Sequence, residues 1–265
     1  MQYLVGGSIR KVLGAKMLAL ASHWPICEVA PENWNPDDPA DIVALTSLSE
    51  STTLLLHSLS LNVLGPAPFF LTVQRVRKWS GILGLKIVTD HFCWSATEDH
   101  PLGVFVPPVE DVDIMQTKVR ALKEVIGVML GLENICLSSD DPVFNVGYHR
   151  ALAQISRNEE VPVLLDLENL RLDAIASGLS PIELLSFYDE VDVCGYHVAG
   201  STTGYPVLDT HDQAVPDETL RLLRGCLVRK PGPVIYERDY ALDLKEIDEE
   251  VRRIAAFVEA DGTPL

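Results

Sequence analysis

Short apolar runs alternate along the chain with longer stretches of helical period. The runs fall at residues 26–30, 53–58, 86–90, 135–138, 161–166, 191–197 and 233–237 and predict strands, each bounded by polar or turn-forming residues. Between them, residues 114–130 place Ile114, Val119, Leu122, Val125, Ile126 and Met129 at the spacing of one helix face. Further helices are predicted at 174–177 with 181–188, at 217–224 and at 244–260, the last with acidic residues in its first turn, where the helix dipole favours them. Strands that alternate with helices imply βα units and a parallel sheet. Residues 34–40 and 201–212 read as extended loops.

Seven or eight such units in 265 residues match a (β/α)8 TIM barrel, taken as a single domain over residues 1–265. A doubly wound sheet is the competing arrangement, but no Gly-rich phosphate turn follows the first predicted strand. With 47% hydrophobic residues the chain can bury a large core, yet no apolar run approaches the roughly 20 residues of a membrane-spanning helix. The opening stretch through Trp24 is interrupted by Gly14 and Lys16 and is read as carrying no cleavable signal. Five cysteines, an odd number without a CxxC pair, indicate free thiols in a reducing, cytoplasmic setting rather than a zinc-finger site. Thirty-eight acidic against 21 basic residues leave a formal charge of −17, which opposes a nucleic-acid partner.

The chemistry sits at the strand ends. The predicted strands close on Glu28, His57, Asp90 with His91, Asp166, His197 and Glu237. In a barrel the C-terminal strand ends converge on one cavity. Carboxylates gathered there repel one another unless cations intervene, so a multinuclear metal centre is the economical expectation. Asp166 and Asn169, one helical turn apart, can address the same cavity, or form an ordinary helix N-cap. Asp209 and His211, at i and i+2 of an extended segment, form either a metal clamp or a solvated turn. Histidine with carboxylate suits iron, manganese or zinc, and the lack of thiolate ligands argues against copper(I) and iron–sulfur clusters. Asp90 and Asp239 are the candidate catalytic groups, Asp90 also being placed to orient His91 or cap a loop. Asn33 and Trp34 either line a substrate mouth or end the first strand. His23, His100 and His149 belong to no such pattern and are expected at the surface.

Several stretches together resemble the multinuclear non-haem iron-dependent oxidative enzymes, the family of the methanobactin-biosynthesis oxidase. They are Glu28-Val-Ala-Pro-Glu-Asn33-Trp34, His57-Ser-Leu-Ser-Leu, Thr89-Asp90-His91-Phe-Cys-Trp94-Ser95, Leu164-Leu-Asp166-Leu-Glu-Asn169, His197-Val-Ala-Gly200, Asp209-Thr-His211 and Val234-Ile-Tyr-Glu237. The resemblance implies a xylose-isomerase-like TIM barrel holding two or three iron ions. His57 and His91 would serve one metal, Asp166, His197 and Glu237 a second, and Asn169, Asp209 and His211 a third. It implies oxidation, with oxygen, at a cysteine of a ribosomally synthesised precursor peptide. A partner protein would recruit the peptide leader, since nothing in the chain resembles a peptide-recognition domain.

The sequence departs from that family at the bridging glutamate, which the family carries in a Leu-Glu-Asn-Pro-like strand end. With a strand at 135–138, Ser138 stands in that place. Asp140 or Asp141 can then reach in from the loop, with Asp140 the chosen ligand, or Glu133 can serve if the strand is shifted. The family's Gly-rich opening is represented by Gly6-Gly7-Ser8-Ile9-Arg10. Two other functions share the same barrel: a metal-dependent hydrolase or isomerase, and a non-catalytic binding subunit that lost its bridge at Ser138.

Overall fold

The computed structural model describes residues 3–97, 100–202, 204, 206–240 and 242–260. In chain order the elements are β1 (Val5–Ser8), α1 (Gly14–Ala21), β2 (Ile26–Val29), α2 (Pro39–Ser49), β3 (Thr53–Ser58), α3 (Phe70–Leu83), β4 (Ile87–His91), β5 (Trp94–Ala96) and β6 (Pro101–Val106). There follow α4 (Val112–Ile126), β7 (Met129–Glu133), α5 (Pro142–Glu159), β8 (Val163–Asp166), α6 (Leu167–Ser177), α7 (Pro181–Leu185), β9 (Val193–Val198), α8 (Asp217–Arg229), β10 (Val234–Tyr236) and α9 (Leu244–Glu259). Eight parallel strands close into a barrel in the order β1-β10-β9-β8-β7-β4-β3-β2, while β5 and β6 form a separate antiparallel hairpin. The expected TIM barrel is therefore the observed fold. Among the described residues no helix is long and apolar enough to cross a membrane.

Helix starts follow local chemistry. Asp38, Asp141 and Asp243 cap α2, α5 and α9 by accepting from backbone amides, and Pro39 and Pro142 occupy first-turn positions where no amide is needed. On α9 one stripe is buried, consisting of Ile247, Glu250, Val251, Ile254 and Val258, whereas α6 is buried continuously from Leu167 to Ala174. Barrel strands are buried on both faces, which is why they read as continuous apolar runs rather than alternating ones. On β9, Tyr196 reaches the outer layer, where its hydroxyl donates to Lys230 O at the end of α8. Closure between β1 and β2 requires Gly6, because a Cβ there would lie 1.7 Å from Ile26 O.

Two expectations need correction. The helix predicted over 114–130 ends at Ile126, where Gly127 takes a left-handed φ of 80°. The strand predicted at 135–138 is β7, six residues earlier at its start. The run from Val128 to Leu137 is apolar almost throughout, so it offers no alternation from which to read a register. In addition, β1 and the β5–β6 hairpin have no counterpart among the predicted strands.

Candidate metal centre

The shift of β7 decides the composition of the site. Side chains alternate between the barrel interior and the helix layer, so Thr89 and His91 of β4 share the interior with Gly131 and Glu133 of β7. His91 is in register with Glu133, and Asp166 with His197. Glu133 thus emerges between histidines: its Oε2 lies 3.2 Å from Nε2 of both His57 and His91, and its Oε1 lies 2.8 Å from His197 Nδ1. Ser138 is exposed in the following loop with φ 51°. Asp140 is also exposed there, and Asp141 is occupied as the cap of α5. The structure therefore brings Glu133, and neither Ser138 nor Asp140, to the place between the histidines.

Four histidines share one arrangement, and His57, His91 and His197 among them face this carboxylate. Each of the four has one ring nitrogen beside one polar group and the other turned towards a carboxylate. His57 Nδ1 is 3.0 Å from Thr89 Oγ1, and His91 Nδ1 is 3.3 Å from Asp90 Oδ1. His197 Nε2 is 2.8 Å from Glu28 Oε2, and its Nδ1 faces Glu133 and, at 3.1 Å, Glu237 Oε2. His211 Nδ1 is 2.8 Å from Asp239 Oδ2, while its Nε2 is 2.7 Å from Asp209 Oδ1. Among the described residues the donor atoms gather into three groups: Glu28, His57 and His197; His57, His91 and Glu133; and Glu133, Asp166, His197 and Glu237.

Electrostatics split the histidines. Burial pushes His57 and His91 down to about 3, which leaves both neutral with a free lone pair. Burial opposes charge on His197 too, but the carboxylates of Glu237, Glu28 and Glu133 outweigh it and raise its pKa well above the usual range. At His211 the opposing burial is overcome by Asp209 and Asp239. Glu133 is pushed up to about 7 by burial, aided by repulsion from Glu237 and Glu28. Asp166 is raised by burial, with Glu133 and Asp209 adding to it. Glu237 goes the other way: His197, His211 and Arg10 overcome its burial and hold it ionised.

The family model described as RiPP precursor modification enzyme MbnB/TglH/ChrH matches residues 5–259. The chain belongs to that family. A UPF0276 protein of Neisseria meningitidis serogroup B is 26% identical over 263 residues, covering 95% of this chain and 94% of the relative. One from Shewanella oneidensis is 23% identical over 262 residues, with 96% and 94% covered. Among solved structures, a D-tagatose 3-epimerase-like protein superposes with TM-score 0.62 at 15% identity, covering 97% of this chain and 98% of the other. A xylose isomerase-like TIM barrel protein from Mycobacterium smegmatis in complex with magnesium gives 0.59 at 14%, covering 94% and 89%. At these identities the structural likeness shows the fold, a xylose-isomerase-like TIM barrel.

The site of this family member fits a metal on its own geometry. Among the described residues, Glu133 Oε2, Asp166 Oδ2, Asn169 Oδ1, His197 Nδ1 and His211 Nε2 are all buried without an aligned hydrogen-bond partner. An unpartnered buried polar group costs about 1–3 kcal/mol, and five of them around one strand-end cluster are what cation ligands look like without their cation. The other candidates have different places. Asp166 caps α6 by accepting from Asn169 N, so the cap and a cavity-facing role coexist on its two oxygens. Asp209 and His211 pair with each other and enter none of the three groups. Asp90 lies behind His91, its oxygens taken by the amides of Leu61 and His91, and Asp239 lies behind His211 in an ion pair with Arg10. Asp90 thus stands beside His91 Nδ1, where a residue that orients this imidazole would stand, and neither Asp90 nor Asp239 enters the three donor groups.

Asn33 is exposed at the end of a 3-10 turn, and Trp34 is buried in the core, where its carbonyl accepts from Trp79 Nε1. Trp34 therefore does not line a mouth. Glu28 and Glu133, absent from the expected ligand set, are members of the cluster. Their signals were the strand-end position of Glu28 and the Leu132-Glu133-Asn134 triplet. His149 is fully buried, bound to Tyr188 and Asp173, and is not the surface residue expected.

Proposed function

We propose that this chain is an iron-dependent oxidative enzyme acting on a cysteine-containing ribosomally synthesised precursor peptide. It would work as one barrel domain, with a separate protein that recruits the peptide leader. The family supports the peptide substrate. The observation that carries the metal chemistry is Glu133, whose two oxygens face three histidines. His57 and His91 would hold one metal with Glu133; Asp166, His197 and Glu237 would hold a second with the same carboxylate. Asn169, Asp209 and His211 are the candidates for a third. Iron bound there supplies an open position for a substrate thiolate and the redox capacity for its oxidation by oxygen.

The chain's own residues prepare that site. Burial keeps His57 and His91 unprotonated at neutral pH, so their Nε2 atoms are available as donors. Glu28, by accepting from His197 Nε2, leaves Nδ1 directed at Glu133. Arg10 and the two flanking imidazoles keep Glu237 ionised. The β5–β6 hairpin places Phe105 against His91 and keeps water from that side.

The test is anaerobic purification, elemental analysis, and incubation of the iron-loaded protein with a cysteine-containing precursor, read by mass spectrometry and oxygen uptake. Two or more iron atoms per chain and an oxygen-dependent mass change in the peptide are expected. Turnover with zinc alone under strict anaerobiosis would overturn the oxidative reading.

A further inference from the structure

Phe105 sits on β6 with its ring stacked on His91, centroids 3.8 Å apart and planes 25° from parallel. Its strand is otherwise solvent-facing: Val104 is 62% exposed and Phe105 itself 41%, whereas His91 is 8% exposed. This hairpin is fastened to the barrel rim. Asn62, buried and in a left-handed conformation with φ 64°, accepts from Ser95 N and Ala96 N on β5 and donates to Ala67 O. Pairing of Trp94 with Val106 carries that anchorage to β6.

The four histidines differ in how firmly their outer nitrogens are held. The outer contacts of His197 and His211 are 2.8 Å and that of His57 is 3.0 Å, whereas His91 reaches Asp90 at 3.3 Å, and Asp90 Oδ1 is already bound at 2.6 Å by His91 N. His91 thus has the weakest in-plane restraint of the four and, alone among them within the described residues, an aromatic side chain stacked flat on its ring. A parallel stack restrains ring tilt and removes water from one face, which a long hydrogen bond does not. Resting on the reading that His91 holds a metal, we propose that Phe105 is a positioning residue for His91. The hairpin supplies by stacking the orientation that a hydrogen bond supplies at the other three histidines.

Metal-free wild type, Phe105→Ala, Phe105→Leu, Phe105→Trp and Val104→Ala would be titrated with Co(II) against a chelator, following the visible ligand-field bands. Because Phe105 is half exposed, the alanine variant should fold, and its melting temperature without metal checks this. Phe105→Ala is expected to weaken Co(II) binding about 10-fold or more, the scale for losing a group that orients a metal-bound imidazole, and to shift the bands. Phe105→Leu fills space without a flat face and should behave like alanine, Phe105→Trp should restore binding, and Val104→Ala should match wild type. Wild-type affinity and bands in Phe105→Ala, or in Phe105→Leu, would overturn the proposal while leaving the metal reading intact. A wild type that takes up no Co(II) would overturn both, and its own titration identifies that outcome.

Discussion

Glu133 Oε1 and His197 Nδ1 approach to 2.8 Å across the interior of the barrel, joining the end of β7 to β9 although β8 lies between them in the ring. Because the opposite oxygen of Glu133 faces His57 and His91, one carboxylate touches both halves of the cluster.

That geometry makes Glu133 the residue on which metal number depends. Glu133→Ala is expected to lose at least one metal per chain by elemental analysis, and Asp140→Ala, altering an exposed loop residue, none. An equal loss in both variants would show that the loop carboxylate, not the strand end, bridges the site.

Stability of the metal-free protein should rise as pH falls from about 8 to about 6.5. Glu133 and Asp90, both pushed up to about 7 by burial, bind protons more readily folded than unfolded, where a carboxyl titrates near ~4. His197 and His211, raised by their carboxylates, act in the same direction, since their contribution is complete below the unfolded value of about 6.5 and is lost as pH rises through the folded one. Below about 6.5, His57 and His91, pushed down to about 3, resist protonation and oppose the gain. Bound metal keeps the carboxylates ionised, so the loaded protein should instead lose stability on acidification. Melting curves of both forms across this range check the sign, and a falling melting temperature in the metal-free form from pH 8 to 6.5 would contradict it.

A buried ion pair holds the loop that carries Asp209 and His211. Glu168 accepts from Arg171, from Ser201 N at the start of that loop, and from Thr219 Oγ1 on α8. Arg171→Met strands a fully buried carboxylate and should cost about 3–5 kcal/mol in chemical denaturation. A loss below about 1 kcal/mol, the range of an exposed pair, would show that water reaches Glu168.

Gly6→Ala should fail to close the barrel. The added methyl would overlap the carbonyl of Ile26, a backbone atom that cannot rotate away. Loss of cooperative melting is expected, and a variant that melts like wild type would mean that β1 and β2 can separate without harm.

The sequence by itself determined the barrel and most of the site. Apolar runs buried on both faces and helices of 3.6 period leave little choice but a parallel βα array, and polar residues at the ends of such runs must meet at one mouth. His57, His91, Asp166, His197 and Glu237 were legible on that ground. Only the tertiary structure decided which residue stands between the histidines. The apolar stretch around β7 admits several registers, and it is the pairing of His91 with Glu133 that selects one and sends Ser138 and Asp140 to the surface. The places of Asp239, Trp34 and Phe105 were equally beyond sequence, because each depends on which face of its strand or loop it occupies. That is fixed by contacts with residues distant in the chain, namely Arg10, Trp79 and His91.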